Sequence, residues 1–283
     1  MNEFPDFFRL KLGDPVETFI KWSTLNYEPF FDGVKQFILF FLIKMQKGLI
    51  SIPWFVVLLV LFLIGWKVKN VKSGLSFAAM MFTIGLLGYW NDTMLTLAIV
   101  ITSVLISLMF GIPIGIFSAY KEKFEKITKP VLDAMQTMPS FVYLIPAIML
   151  FGLGSVPAVF ATTIYSLPPV IRLTTLAIRS VSKDMLEAAH SFGATPWQIL
   201  IKVEIPQALP TIMAGVNQTT MMAMSMVVVA SMIGAKGLGY NVLIAINRTD
   251  VAMGVEAGTS IVLLAIIIDR LTQAIGSKFE IKE

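Results

Sequence analysis

The chain contains no cysteine and a single histidine, His190. Those two shortages exclude a disulfide framework, a thiolate metal site and cysteine nucleophiles, and leave no imidazole set from which to build a metal cluster. No G-x-x-x-x-G-K-[ST] phosphate loop occurs, because the glycine-rich run Gly234-Ala-Lys-Gly-Leu-Gly239 lacks the required order and reads as a turn or re-entrant loop. His190 has no nucleophile or metal set beside it and reads as a solvated helix position. Charge is scarce too, at 14% of the 283 residues. Met1 to Pro15 alternates acids, phenylalanines and prolines, without the basic start, apolar run and small-residue cleavage site of a removable signal peptide. The sequence therefore predicts no catalytic residues, metal or cofactor in this chain.

What is abundant is apolar surface. Hydrophobic residues make up 56% of the chain and the mean hydropathy is +0.79, which places it in lipid. A bilayer core about 30 Å thick takes roughly 20 helical residues. Seven runs approach that length, at about 51–66, 74–90, 93–119, 131–150, 156–178, 209–233 and 256–276. The first two are short and separated only by Lys67, Lys69 and Lys72, so they suit a tight hairpin. The expected fold is an all-α, polytopic helical bundle in the inner membrane with about seven transmembrane helices.

The net charge of +4 is carried by lysines flanking apolar runs, not by one basic stripe, so it speaks for topology and against nucleic acid. Lys67, Lys69 and Lys72 mark one side, and Lys121, Lys123, Lys126 and Lys129 mark the same side two spans later. Segment 179–208, with Arg179, Lys183 and Lys202, and the tail, with Lys278 and Lys282, fall there as well. The positive-inside rule makes that side cytoplasmic, with the N-terminus outside and the C-terminus inside.

The external segment 1–50 carries Val34, Phe37, Ile38, Phe41, Leu42, Met45 and Leu49 at helical spacing, with Lys35, Gln36, Gln46 and Lys47 largely opposite. It predicts an interfacial amphipathic helix. An eighth span and a packed surface helix are the alternatives. Lys44 falls on the apolar side, where its stem must snorkel. Domains follow: 1–50 outside, two accessory helices over 51–90, a core over 91–276, and a cytoplasmic tail over 277–283. Within the core, Pro113, Pro146, Pro157, Pro168 and Pro169 interrupt helices, and Gly111, Gly115, Gly152 and Gly154 permit close approach.

The most informative stretch is 182–206. It reads as two short helices about a glycine turn, with Ser182 capping the first, Gly193 in the left-handed position, Thr195 capping the second, Pro196 at its first position and Gln198 completing a capping box. Pro206 and Pro210 are expected to end the second helix before the next span. Small Ala188 and Ala189 admit a partner's groove, and Glu187 can pair with a cation. A helix-turn-helix that reads DNA has a basic recognition face, which this segment lacks.

Glu187-Ala188-Ala189, Gly193, and Val203-x-Ile205-Pro206 resemble the EAA coupling motif of ABC importer permeases, whose pattern ends Ile-x-Leu-Pro; Val203 and Ile205 are conservative departures. Gln136-Thr-Met-Pro-Ser-Phe-Val-Tyr-Leu-Ile-Pro146 and Tyr165-Ser-Leu-Pro-Pro-Val-Ile-Arg172-Leu-Thr look like the glycine betaine and proline betaine permeases of that family. The resemblance covers roughly 90–276, with a weaker N-terminal extension. It implies the type I ABC importer permease fold, a second copy of the permease, cytoplasmic ATPase subunits that bind ATP and magnesium, and an extracytoplasmic substrate-binding protein. The implied function is ATP-driven import of glycine betaine or a related compatible solute in osmoprotection. Another small osmolyte or amino-acid-like solute is the runner-up, and an ion-coupled secondary transporter is the rival of another class.

Aromatic faces hold quaternary ammonium groups by cation–π attraction, about 0.5–2 kcal/mol per contact. Tyr143, Tyr165, Trp54 and Trp90 are candidates, and Met222 and Met226 stand in a methionine-rich sixth span, with Met213, Met221, Met224 and Met232, that suits either a changing path or core packing. Asp92, Asp133, Glu256, Asp269 and Arg270 fall near span ends and read as interfacial, with no proton relay. Arg172 reads as support for the loop or as a snorkelling side chain.

Overall fold

A computed structural model describes residues 13–276. The readings for residues 1–12 and for the tail 277–283, with Lys278 and Lys282, lie outside the described residues. Among the described residues there is no strand. Helices α1 (Gly13–Asn26) and α2 (Glu28–Ser51) precede a hairpin of α3 (Trp54–Val68) and α4 (Val71–Leu86). The long α5 (Trp90–Tyr120) leads into α6 (Glu122–Thr137), a 3₁₀ turn at Ser140–Tyr143, and the short α7 (Leu144–Phe151). Then come α8 (Ser155–Arg179), α9 (Lys183–Ser191), α10 (Pro196–Ile199), α11 (Ile205–Ala230), α12 (Leu238–Arg248) and α13 (Val251–Gly276).

All seven apolar runs lie in helices, but they do not make seven straight spans. Four helices are long and apolar enough to cross a membrane: α5, α8, the continuous 196–233 and α13. The total reaches six if each of two bent pairs counts as one span. The run 131–150 is one of those pairs, broken by a 110° turn between α6 and the segment Ser140–Phe151. The cause is local, since Met138 precedes Pro139 and is held extended at φ −67°, ψ 134°, outside the helical region. The other bend, 97° between α2 and α3, falls at Ile52–Pro53 for the same reason. Helices α3 and α4 have 15 and 16 residues, about 22–24 Å at 1.5 Å per residue, short of a bilayer core. They form the tight hairpin, crossing where a Cβ on Gly65 would come within 2.7 Å of the Gly74 Cα.

Helix α2 packs on the bundle. Its Ile38 and Leu42 are buried, Val34, Met45 and Leu49 rest against the same core, and Phe31 meets Phe151 edge-on at 6.2 Å. Phe37 stays exposed. The Lys44 ammonium, which lies on the apolar side, sits 4.0 Å from the centre of the Phe40 ring.

The centre of the fold is α8, held between α5 and α11. Ser103, Ser107, Gly111 and Gly115 recur every four residues on α5 and so share one face. The Ser103 and Ser107 hydroxyls donate to the Val159 and Thr163 carbonyls at 3.3 and 3.1 Å. A Cβ on Gly111 would lie 2.4 Å from Val170, and one on Gly115 2.6 Å from Thr174. On an adjoining face of α8, Gly215 of α11 comes close less tightly, its Cβ position 3.1 Å from Leu173 and 3.4 Å from the Val170 Cα. This is the small-residue packing by which helices approach closely in lipid, where apolar burial alone gives no net attraction. Gly152 and Gly154 behave otherwise: nothing lies within 4 Å of an added Cβ, and φ of +77° and +116° shows that they serve the α7–α8 turn, not a close contact.

Gly115→Val is expected to lower unfolding stability by about 1–3 kcal/mol in detergent or bicelles, as overpacking does. Gly258→Ala, on α13 with nothing within 4 Å, is the control and should unfold as the wild type does.

Candidate functional site

Between α8 and α11 the chain leaves the bundle and returns, over 180–206. Helix α9 ends in a complete Schellman closure: Gly193 takes φ +73°, its N–H donates to the His190 carbonyl at 2.9 Å, and the Ala194 N–H donates to Ala189 at 3.1 Å. Glycine is favoured there because its φ lies in the left-handed region. Thr195 and Gln198 form the reciprocal capping box, with the Thr195 N–H donating to the Gln198 side chain at 2.9 Å. Ser182 stands at the start of α9 but makes no side-chain cap bond, a correction to its expected role.

The prolines also act differently from expectation. Pro206 and Pro210 do not end the second helix; the chain runs on as helix from Pro196 to Ile233. A π turn over Leu200–Glu204 absorbs the disturbance, with the Ile205 N–H donating to the Leu200 carbonyl five residues back. Pro206 then stands in the first turn of α11, where its missing N–H has no intrahelical partner to lose. The protruding segment and α11 are thereby one mechanical piece.

Its outer face is apolar and open. Phe192 is 92% exposed and Trp197 69%, with Met185 and Ile201 also exposed. Glu187, Ala188 and Pro206 are exposed, while Ala189, Val203 and Ile205 are half-buried. Its inner face is tied to the bundle by polar contacts. Glu204, only 5% exposed, accepts a hydrogen bond from the Tyr120 hydroxyl at the end of α5. Arg179 at the end of α8 donates to the Ser118 and Ala119 carbonyls at 3.1 Å and pairs with Glu125 of α6 at 2.5 Å. One side chain therefore satisfies two carbonyls at the end of α5 and joins three helices. One and two turns earlier on α8, Thr175 donates to the Gly115 carbonyl at 3.0 Å, and Arg172 pairs with Asp133 of α6. Arg172 is thus a helix-to-helix tie.

The sequence singled out neither Glu204 nor Arg179 for this role. Glu204 was a spacer position between Val203 and Ile205, and Arg179 counted only as a topology mark. The available signal was an acid standing among apolar residues next to a span, a placement that demands a partner once buried.

The expected path residues separate into two groups. Tyr143 and Tyr165 come together edge-to-face, centroids 5.7 Å apart at 74°, with the Tyr143 hydroxyl donating to the Met135 carbonyl. Both lie where the broken α6–α7 segment meets α8. Met222 is half-buried, but Met226 is 0% exposed and enclosed in the helical core, which places it in packing and away from any open surface of this conformation. Trp54 is exposed on α3 and Trp90 half-buried at the start of α5. Asp92 accepts from Asn241 at 2.8 Å and Asp269 from Asn217 at 3.2 Å, so both join helices. Gly234 and Gly237, at φ +86° and +139°, make the turn from α11 into α12. Among the described residues no group of three or more acids or histidines is placed to hold a metal.

Comparison with known proteins fits this geometry. The family model for the binding-protein-dependent transport system inner membrane component matches residues 111–281. The glycine betaine/proline betaine transport system permease protein ProW of Escherichia coli (strain K12) is 48% identical over 91% of this chain and 73% of its own length. The glycine betaine transport system permease protein OpuAB of Bacillus subtilis (strain 168) is 43% identical over 95% of this chain and 96% of its own. The glycine betaine/carnitine transport permease protein GbuB of Listeria monocytogenes serotype 1/2a (strain 10403S) is 51% identical over 80% and 81%. Among solved structures, the MetNI methionine ABC transporter in an inward-facing conformation superposes with a TM-score of 0.60 at 22% identity, over 66% of this chain and 94% of that one, a likeness of fold. The chain therefore belongs to the binding-protein-dependent transport system inner membrane components, the permeases of ABC importers.

Proposed function

We propose that this permease imports glycine betaine or a related compatible solute, powered by ATP hydrolysis on separate subunits docked at segment 182–206. The observation that carries the coupling role is that segment's build. It is capped on both sides of the Gly193 turn, continuous with α11, pinned to α5 through Glu204, and presents Phe192 and Trp197 to solvent. Exposed aromatics on a rigid protrusion suit the groove of a partner protein. Glu187, Ala188, Ala189, Gly193, Val203, Ile205 and Pro206 are its proposed coupling residues. The solute assignment rests on the three relatives, each of which is a glycine betaine transport permease.

In this reading the side bearing 182–206 is cytoplasmic, which puts the N-terminus outside and the C-terminus inside. Segment 1–50 is the extracytoplasmic extension, 51–90 the accessory hairpin, and 91–276 the transporting core. A second copy completes the path, a substrate-binding protein delivers solute from outside, and the ATPase subunits hold ATP and magnesium. Tyr143 and Tyr165 are the proposed aromatic contacts for a quaternary ammonium group, beside Met222. Import then proceeds by alternating access, in which affinity differs between the two states.

Reconstitution with its cognate ATPase and substrate-binding protein should give ATP-dependent uptake of radiolabelled glycine betaine. Gly193→Asp should abolish that uptake while the protein stays folded, because nothing lies within 4 Å of the new Cβ and the left-handed backbone costs only about 1–2 kcal/mol. Flux that needs no ATP and is untouched by the variant would overturn the mechanism; uptake of a different solute would overturn the substrate alone.

Tyr120→Phe leaves the buried Glu204 carboxylate without its donor. It should destabilise the chain by about 1–3 kcal/mol and lower uptake more than ATP hydrolysis. Equal losses in both would show that Tyr120 supports folding without a part in coupling.

A further inference from the structure

A cleft of about 720 Å³ opens between the α3–α4 hairpin and the C-terminal half of α13. It lies toward the same face as segment 182–206, since Gly276 at the end of α13 packs against Met213 in the first third of α11. Three cations line it: Lys69 and Lys72, from the hairpin turn, and Arg270, from α13. Among the described residues no carboxylate lines it and none of the three cations has an ion-pair partner. The neighbouring acid, Asp269, accepts from Asn217 at 3.2 Å and from Gln273 at 2.7 Å. Deeper in the cleft the surface turns apolar, at Phe77, Met80 and Ile266.

Unpaired cations above an apolar floor, at the end of a hairpin and a span, match an amphiphile with a negative head. Like charges gathered without a counter-charge repel one another, so the arrangement is stabilised by a bound anion. The start of α4 adds to this field. Asn70 accepts the Ser73 N–H at 2.8 Å, and the positive end of the helix faces the same turn. A free inorganic anion would satisfy Lys69, Lys72 and Arg270 but would leave the apolar lining at Phe77, Met80 and Ile266 without a partner. We propose that the cleft binds the phosphodiester head of an anionic phospholipid through Lys69, Lys72 and Arg270, with an acyl chain along Phe77, Met80 and Ile266.

The test uses the full chain in nanodiscs of phosphatidylethanolamine with a minor share of phosphatidylglycerol, followed by native mass spectrometry of the released protein. Wild type should retain phosphatidylglycerol, and K69Q/K72Q/R270Q should retain about tenfold less or lower, since the charge-assisted contacts to the phosphodiester in the cleft are lost. Lys67→Gln, in the same turn but outside the cleft, should retain as much as wild type. An added excess of inorganic phosphate should leave the lipid bound. The unfolding midpoint in phosphatidylethanolamine alone checks that the triple variant is intact; should it not fold, Lys69→Gln and Arg270→Gln singly should each lower retention. Undiminished retention in these variants, equal loss in Lys67→Gln, or displacement of the lipid by inorganic phosphate would each overturn the proposal.

Discussion

The close approach of α8 to α5 is the contact on which the rest of the molecule depends. In lipid, two helices gain little by touching through bulky apolar side chains, because the acyl chains they displace are equally apolar. They gain when backbones come near enough for dispersion contact and for side-chain hydroxyls to reach neighbouring carbonyls. Ser103, Ser107, Gly111 and Gly115 supply that surface on α5, and Thr163, Ser166, Val170 and Thr174 receive it on α8. With Gly215 of α11 pressed to an adjoining face, α8 has little freedom to slide against either neighbour. The prolines inside α8, Pro168 and Pro169, are buried.

That rigidity gives the protruding segment its value. A docking loop on a loose tether would move without moving the bundle. Here the segment enters from α8, whose last turn is clamped to α5 and α6 by Arg179, and leaves into α11 without a break. Tyr120 and Glu204 close the triangle on α5. In the proposed coupling, a push at Phe192 or Trp197 is carried into three packed helices together. The softer parts lie elsewhere. The 110° break after α6 sets Tyr143, on a short 3₁₀ turn, against Tyr165 of α8, and short irregular elements of that kind open most readily.

Much of this was legible in the residues. The apolar runs, the α3–α4 hairpin, the Gly193 turn, the Thr195–Gln198 box and the close approach at Gly111 and Gly115 follow from local rules that the structure obeys. What escaped the sequence depended on three-dimensional compensation. Pro206 and Pro210 are read as helix ends by any local rule, but a five-residue π turn at Leu200–Glu204 reroutes the bonds and lets the helix continue. Met138–Pro139 sits inside an apolar run of spanning length, so hydropathy alone does not reveal the bend. Glu204 and Tyr120, 84 positions apart, are joined only once α5 and α11 lie side by side. Met226 was one of several equivalent methionines, and burial alone separates it from Met222.

The close contact between α5 and α8 predicts that the two helices move as one body during transport. With no native cysteine to interfere, Ser107→Cys/Ser166→Cys places two thiols where the hydroxyls now lie 3.1 Å apart. The measurement is ATP-driven uptake before oxidation, after disulfide formation, and after reduction. A rigid α5–α8 unit predicts equal uptake in all three. Uptake lost on cross-linking and regained on reduction would show that the two helices must slide past each other, and would contradict the account.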